Sequence, residues 1–159
     1  MEAINLIKQL NKISGRKLNL LQELESLTFK QKEYIKEKKY DEVDQVIQEK
    51  QKLMDLIDKL DADFAIYSQK LKNVLGIASL ESLPGFNIEG TKELKEIVGE
   101  IYAKLTDIKK QDAENTTLLK NELNETRDRI NHNNTFKQVT KAYGPAKPIN
   151  PSYFFDKKK

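Results

Sequence analysis

Apolar residues recur every three and four positions along most of this chain, and their phase marks out three long helices. Over residues 2–38 the heptad row is Ala3, Leu6, Leu10, Ile13, Lys17, Leu20, Leu24, Leu27, Gln31 and Tyr34, interrupted only at Lys17 and Gln31. Ile7, Leu21 and Ile35 widen it beyond a strict two-position seam, which suits a three-helix bundle better than a two-stranded coiled coil. Over residues 41–75 the row is Val43, Val46, Lys50, Leu53, Ile57, Leu60, Phe64, Tyr67, Leu71 and Val74, broken at Lys50. Lys38-Lys39-Tyr40 leaves room only for a tight turn, with Asp41 as expected N-cap, so the first two helices form an antiparallel hairpin. Each arm of about 35 residues is about 50 Å long at 1.5 Å per residue. Gly15 lies inside the first helix and off its seam, where it weakens the helix by roughly 1 kcal/mol relative to alanine.

Residues 76–90 read as a connector. Gly76 suits a left-handed helix end, Ser79 to Leu83 a single helical turn, and Pro84-Gly85 a break before the chain reverses. A third helix is expected over residues 91–143, with Thr91 as N-cap and Glu93 in its first turn. Leu94, Val98, Ile101, Leu105 and Ile108 hold one phase, as a core helix requires. The seam then turns polar at Asp112, Asn115 and Glu122. A thinner apolar row resumes at Leu118, Leu119, Leu123, Ile130, Phe136 and Val139, crowded by asparagines. At equal helical rise Asn115 falls level with Gln31 and Lys50, the exceptions in the two hairpin seams. These three are expected to meet as a polar layer; the alternative is that they reach past one another to solvent. At the same rise the third helix reaches the hairpin turn near residue 125 and is expected to overshoot it from there, with its apolar row unclaimed by its own chain and available to a partner. Gly144-Pro145 ends it, and Pro145, Pro148 and Pro151 keep residues 144–159 extended. The aromatics Tyr153, Phe154 and Phe155 in that tail either dock elsewhere or fold back onto the bundle.

Composition agrees with an all-α chain made of one helical domain, residues 1–143, and a flexible tail. Charged residues are 33% of the 159 and apolar ones 38%, and no proline precedes Pro84. A net charge of +3 without a clustered basic face gives no case for nucleic acid. The absence of cysteine excludes disulfides and thiolate metal sites. No run approaches the roughly 18 apolar residues of a membrane span, and the first residues lack a signal-peptide pattern, so a cytoplasmic protein is expected.

No arrangement of side chains points to catalysis, a metal or another cofactor. His132 is the only histidine, and the carboxylates near it, Glu125 and Asp128, have ordinary helix-face spacing. It sits in Asn131-His132-Asn133-Asn134, a poor match for a phosphotransfer histidine, which needs a semi-exposed bundle face with a lysine and small neighbours. The glycines are scattered rather than gathered into a phosphate loop.

Several stretches together carry a family resemblance. They are Leu27-x-x-x-Gln31-Lys32-x-x-Ile35, Tyr40-Asp41-Glu42-Val43, Glu49 to Ile57, the connector from Gly76 to Leu83, and Asn115-Thr116-Thr117-Leu118-Leu119. Ala142-Tyr143-Gly144 and the ending Phe154-Phe155-Asp156-Lys157-Lys158-Lys159 add to them. The chain resembles the flagellar export chaperones of the FlgN type along nearly its whole length. The resemblance implies a helical, non-enzymatic cytosolic chaperone that binds the C-terminal segments of hook-filament junction proteins. It implies delivery of them to the cytoplasmic domain of the export-gate membrane protein. It places client binding on the C-terminal amphipathic helix, here Leu118, Leu119, Leu123, Ile130, Phe136 and Val139, and gate docking on Tyr143. Self-association in the absence of client is a further expectation, since an uncovered apolar row seeks a substitute. The competing reading is a structural coiled-coil adaptor or oligomerisation module without a secreted client.

Overall fold

The structure, a computed structural model, describes residues 2–126. Within that span the chain is all-α: α1 is Glu2–Lys36, α2 is Tyr40–Leu75 and α3 is Thr91–Thr126. A 3-10 segment, Leu80–Phe86, lies in the connector between α2 and α3. Among the described residues there is no strand. The expected continuation of α3 over residues 127–143, the tail 144–159, and His132 lie outside the described residues.

The α1–α2 turn lies slightly earlier in the chain than the sequence suggests, on residues 37–39. Lys38 takes a left-handed backbone, φ 61°. Its N–H donates to the Ile35 carbonyl (3.1 Å), and the next N–H, of Lys39, reaches back to the Tyr34 carbonyl (2.9 Å). This pair of backward bonds closes α1 two residues before the expected end. The Val43 N–H then donates to the Lys39 carbonyl at 3.0 Å, so α2 starts before Asp41. Asp41 is therefore a first-turn acid facing the positive helix end rather than the N-cap. The end of α2 follows its glycine: Gly76 has φ 67°, and the Ile77 N–H returns to the Lys72 carbonyl. At the start of α3 the Leu94 N–H bonds the Gly90 carbonyl, so Gly90 holds the cap position and Thr91 is the first helical residue.

The packing divides into two compact units, each built from pieces of all three helices. The first takes residues 2–22 of α1, 55–75 of α2, the connector, and 91–105 of α3. Its core is mainly apolar: Leu6, Ile7, Leu10, Leu21, Ile57, Phe64, Leu71, Leu83, Leu94, Val98, Ile101 and Leu105 are buried. Gly90 fits here because Asn11 Nδ2 donates to its carbonyl at 3.1 Å and an added Cβ would lie 3.0 Å from Ile7. One charged pair interrupts this core. Lys17 Nζ meets Asp61 Oδ1 at 2.6 Å, with side-chain exposures of 1% and 8%.

The second unit takes residues 23–54 of the hairpin and, within α3, residues 106–126. In it α1 buries Leu24, Thr28, Gln31 and Ile35, whereas the heptad residues Leu27 and Tyr34 are half-buried. Alternate positions of the inward stripe have thus moved one residue around α1, from Leu27 to Thr28 and from Tyr34 to Ile35, while Leu24 and Gln31 stay on the heptad row. The reason is the third helix: α3 packs on the side of α1 that carries Thr28 and Ile35, where Asn115 bonds the Thr28 carbonyl and Leu119 shares a cluster with Ile35.

Candidate functional site

The second unit contains both features that the sequence singles out, a polar layer and the apolar residues of the later part of α3. The layer centres on Lys50. Its ammonium donates to Gln31 Oε1 at 2.8 Å and to Asp112 Oδ1 at 2.6 Å. Asn115 Nδ2 donates to the Thr28 carbonyl at 3.0 Å and lies 3.5 Å from Gln31 Oε1. Gln31, Lys50 and Asn115 therefore come together from three helices, all buried. Each is an exception in its own seam, and an amide, an ammonium and a second amide supply complementary donors and acceptors. Burial pushes the Lys50 ammonium below its ordinary value, and the Asp112 carboxylate opposes that shift. Asp112 keeps 39% of its side chain exposed, so this ion pair is only partly withdrawn from water.

One helical turn further along α3, Leu119 is 3% exposed and forms an apolar cluster with Ile35 and Val43. Tyr34, Tyr40, Ile47, Leu118 and Leu123 pack around it, partly buried. Lys38, Tyr40 and Glu122 stitch the same region. The Tyr40 hydroxyl donates to Glu122 Oε1 at 3.1 Å, and Lys38 Nζ lies 3.7 Å from the same oxygen. Partial burial and the Glu122 carboxylate push the Tyr40 phenol up to about 12.

These contacts correct part of the sequence reading. Leu119 is not an unclaimed residue: its own chain encloses it, because α1 and α2 still offer Ile35 and Val43 at its height. Leu118 and Leu123 are half-covered by the same cluster and retain an outward portion. The α3 helix has therefore not cleared the hairpin at residue 119. Ile130, Phe136, Val139 and Tyr143 lie outside the described residues.

Three groups in the structure were not paired by the sequence reading. Asp112 appears there only as a break in the seam, not as the carboxylate for Lys50. Lys17 appears as a seam exception without Asp61, which follows the heptad residue Leu60 and so looks like an exposed position. Tyr40 and Glu122 are separated by 82 positions. A usable signal did exist for Lys17: a lysine on an apolar row calls for a carboxylate on a neighbouring helix. Among the described residues no group of three or more His, Cys, Asp or Glu side chains could hold a metal ion. Nor is any described helix long and apolar enough to cross a membrane.

No curated protein and no solved structure matches this chain. A family model does: the one described as FlgN protein matches residues 1–150.

Proposed function

The chain belongs to the FlgN family, a family of flagellar export chaperones, and on that premise we propose that it guards the C-terminal segments of hook-filament junction proteins and presents them to the export gate. The observation that carries the proposal is the extent of the family match, residues 1–150, which takes in the whole apolar row of the C-terminal segment. In this reading Leu119 anchors α3 to the hairpin from within. Leu118 and Leu123 begin a client-binding stripe that continues through Ile130, Phe136 and Val139. Tyr143, past the stripe, contacts the cytoplasmic domain of the gate protein.

The energetics suit a reversible carrier. Each of the five stripe residues contributes about 1.5–3 kcal/mol when fully covered by a client helix. Ordering side chains and losing translational freedom offset much of that, leaving a dissociation constant on the order of micromolar to nanomolar. Recognition is helix against helix, and no chemical step is required of the chaperone.

Titration calorimetry with a junction-protein C-terminal segment tests this. Ile130→Asp combined with Val139→Asp is expected to abolish binding, and undiminished binding refutes the assignment. Tyr143→Ala is expected to spare client binding while weakening association with the gate domain; loss of client binding instead overturns that division of labour. The competing reading, a structural coiled-coil adaptor without a secreted client, takes its support from the enclosure of Leu119 by its own chain. Stable oligomers unaltered by added client would support that alternative.

A further inference from the structure

The first unit contains an apolar cavity of about 210 Å³ beneath the 3-10 segment. Phe64 of α2, Leu80 and Leu83 of the 3-10 segment, and Leu94 and Val98 of α3 form its walls. All five are buried, and the cavity opens to the surface between the exposed Glu81, Pro84 and Lys95. A cavity of about 150 Å³ already accommodates benzene, so this one has room for a six-membered ring with a substituent. One polar group interrupts the lining. Thr91 borders the cavity, and its hydroxyl oxygen is buried without a hydrogen-bond partner among the described residues. The helix start explains the orphan: Gly90 provides the capping carbonyl, leaving the Thr91 hydroxyl without a capping role. A buried hydroxyl without a partner is costly, and a ligand that offers it a hydrogen bond recovers that cost. At the rim stand Glu81 and Lys95, one of each sign and both exposed.

We infer that the cavity is the receptor for the chain's own C-terminal aromatic segment, with the Tyr153 ring inserted among Phe64, Leu83, Leu94 and Val98 and its hydroxyl bonded to Thr91. Tyr153-Phe154-Phe155 is followed by Asp156 and Lys157. The segment thus carries one acid and three lysines beside its aromatics, so Asp156 can face Lys95 and a lysine can face Glu81 at the rim. Of the three rings only that of Tyr153 carries a group that can satisfy the Thr91 hydroxyl. Length is no obstacle. The 27 residues from Thr126 to Tyr153 span up to about 90 Å when extended, whereas the whole of α3, which carries Thr91, Leu94 and Val98, is about 54 Å long. A tethered ring competes with any free one at an effective concentration on the order of millimolar. This inference concerns the first unit and stands apart from client binding by α3.

Methyl NMR of the full 159-residue chain tests it. An inserted ring shifts the methyl resonances of Leu83, Leu94 and Val98, and Tyr153→Ala is expected to abolish those shifts. A synthetic peptide of residues 145–159 should restore them in the Tyr153→Ala chain. The unsubstituted chain, whose own tail already fills the cavity, should bind a fluorescently labelled copy of that peptide roughly tenfold more weakly than the Tyr153→Ala chain does. Val98→Phe, which fills the space, should prevent restoration. Thr91→Val keeps the volume and should weaken the native peptide but not a Tyr153→Phe peptide; this arm holds even if Val98→Phe disturbs the fold. Identical methyl spectra for the unsubstituted and Tyr153→Ala chains overturn the inference. So do shifts that scale with protein concentration, which identify the tail of a second copy as the occupant.

Discussion

Replacing Lys17 by methionine gives the sharpest test of how the first unit is held together. The Lys17 ammonium and the Asp61 carboxylate meet at 2.6 Å with almost no exposure. Burial pushes the Lys17 ammonium below its ordinary value of 10.5, and the Asp61 charge opposes this. Burial likewise pushes the Asp61 carboxyl above 3.8, opposed by Lys17 and reinforced by Asp58. Both directions have the same meaning for stability. An acid whose folded-state value is raised contributes stability below its ordinary range and loses it as pH rises through the raised value. A base whose folded-state value is lowered contributes above 10.5 and loses it as pH falls through the lowered value. At neutral pH each charge is thus held against its preference, and the pair persists because each partner neutralises the other.

Lys17→Met removes the compensating charge and leaves Asp61 buried with Asp58 near it, at an expected cost of about 3–5 kcal/mol. For a chain of this size that lowers Tm by roughly 6–20 °C. Asp61 then takes up a proton more readily, so the deficit should shrink as pH falls, by at most about 1.4 kcal/mol per pH unit. Lys17→Met with Asp61→Leu removes both charges and should recover most of the loss, or exceed the unsubstituted stability by about 1–4 kcal/mol. Urea denaturation of the four proteins at a series of pH values measures every quantity. A Lys17→Met deficit under about 1 kcal/mol, or one that does not change between about pH 4 and pH 8, refutes the reasoning. So does a double variant as unstable as the sum of the singles, because the coupling would then be absent.

Three further outcomes are expected. Gly15→Ala should raise stability by about 0.5–1 kcal/mol in thermal melts, since Gly15 lies inside α1 and nothing stands within 4 Å of an added Cβ. Leu119→Ala should cost about 2–5 kcal/mol and accelerate amide exchange in the last turns of α3, where Leu119 packs against Ile35 and Val43. Tyrosine absorbance should show one phenol titrating at about 12 that Tyr40→Phe removes. Because that value is raised from 10.0, the contribution of the phenol is intact below pH 10.0 and is lost as pH rises towards about 12.

Much of the architecture could be read directly from the residues, because helix formation depends on local chemistry and on a periodicity that any window of the chain displays. The rows of Leu10, Leu24, Val46, Phe64, Val98 and Leu105, the left-handed end at Gly76 and the start of α3 at Thr91 are of this kind. What the sequence left undecided was which of two adjacent residues turns inward. Leu27 and Thr28 are neighbours, and a leucine is the better core residue by composition. The structure buries the threonine, since α3 lies on that side and Asn115 bonds the Thr28 carbonyl. Pairing across helices belongs to the same class. Lys17 finds Asp61 44 positions away, and Lys50 finds Asp112 62 positions away. No local pattern encodes such distances, because they depend on the rotation of each helix about its own axis, and that rotation is set only when all three pack. Leu119 shows the consequence for function. Its place in an apolar row follows from the sequence, but whether that row faces a partner or its own hairpin depends on how far Ile35 and Val43 extend beside it, which tertiary packing decides.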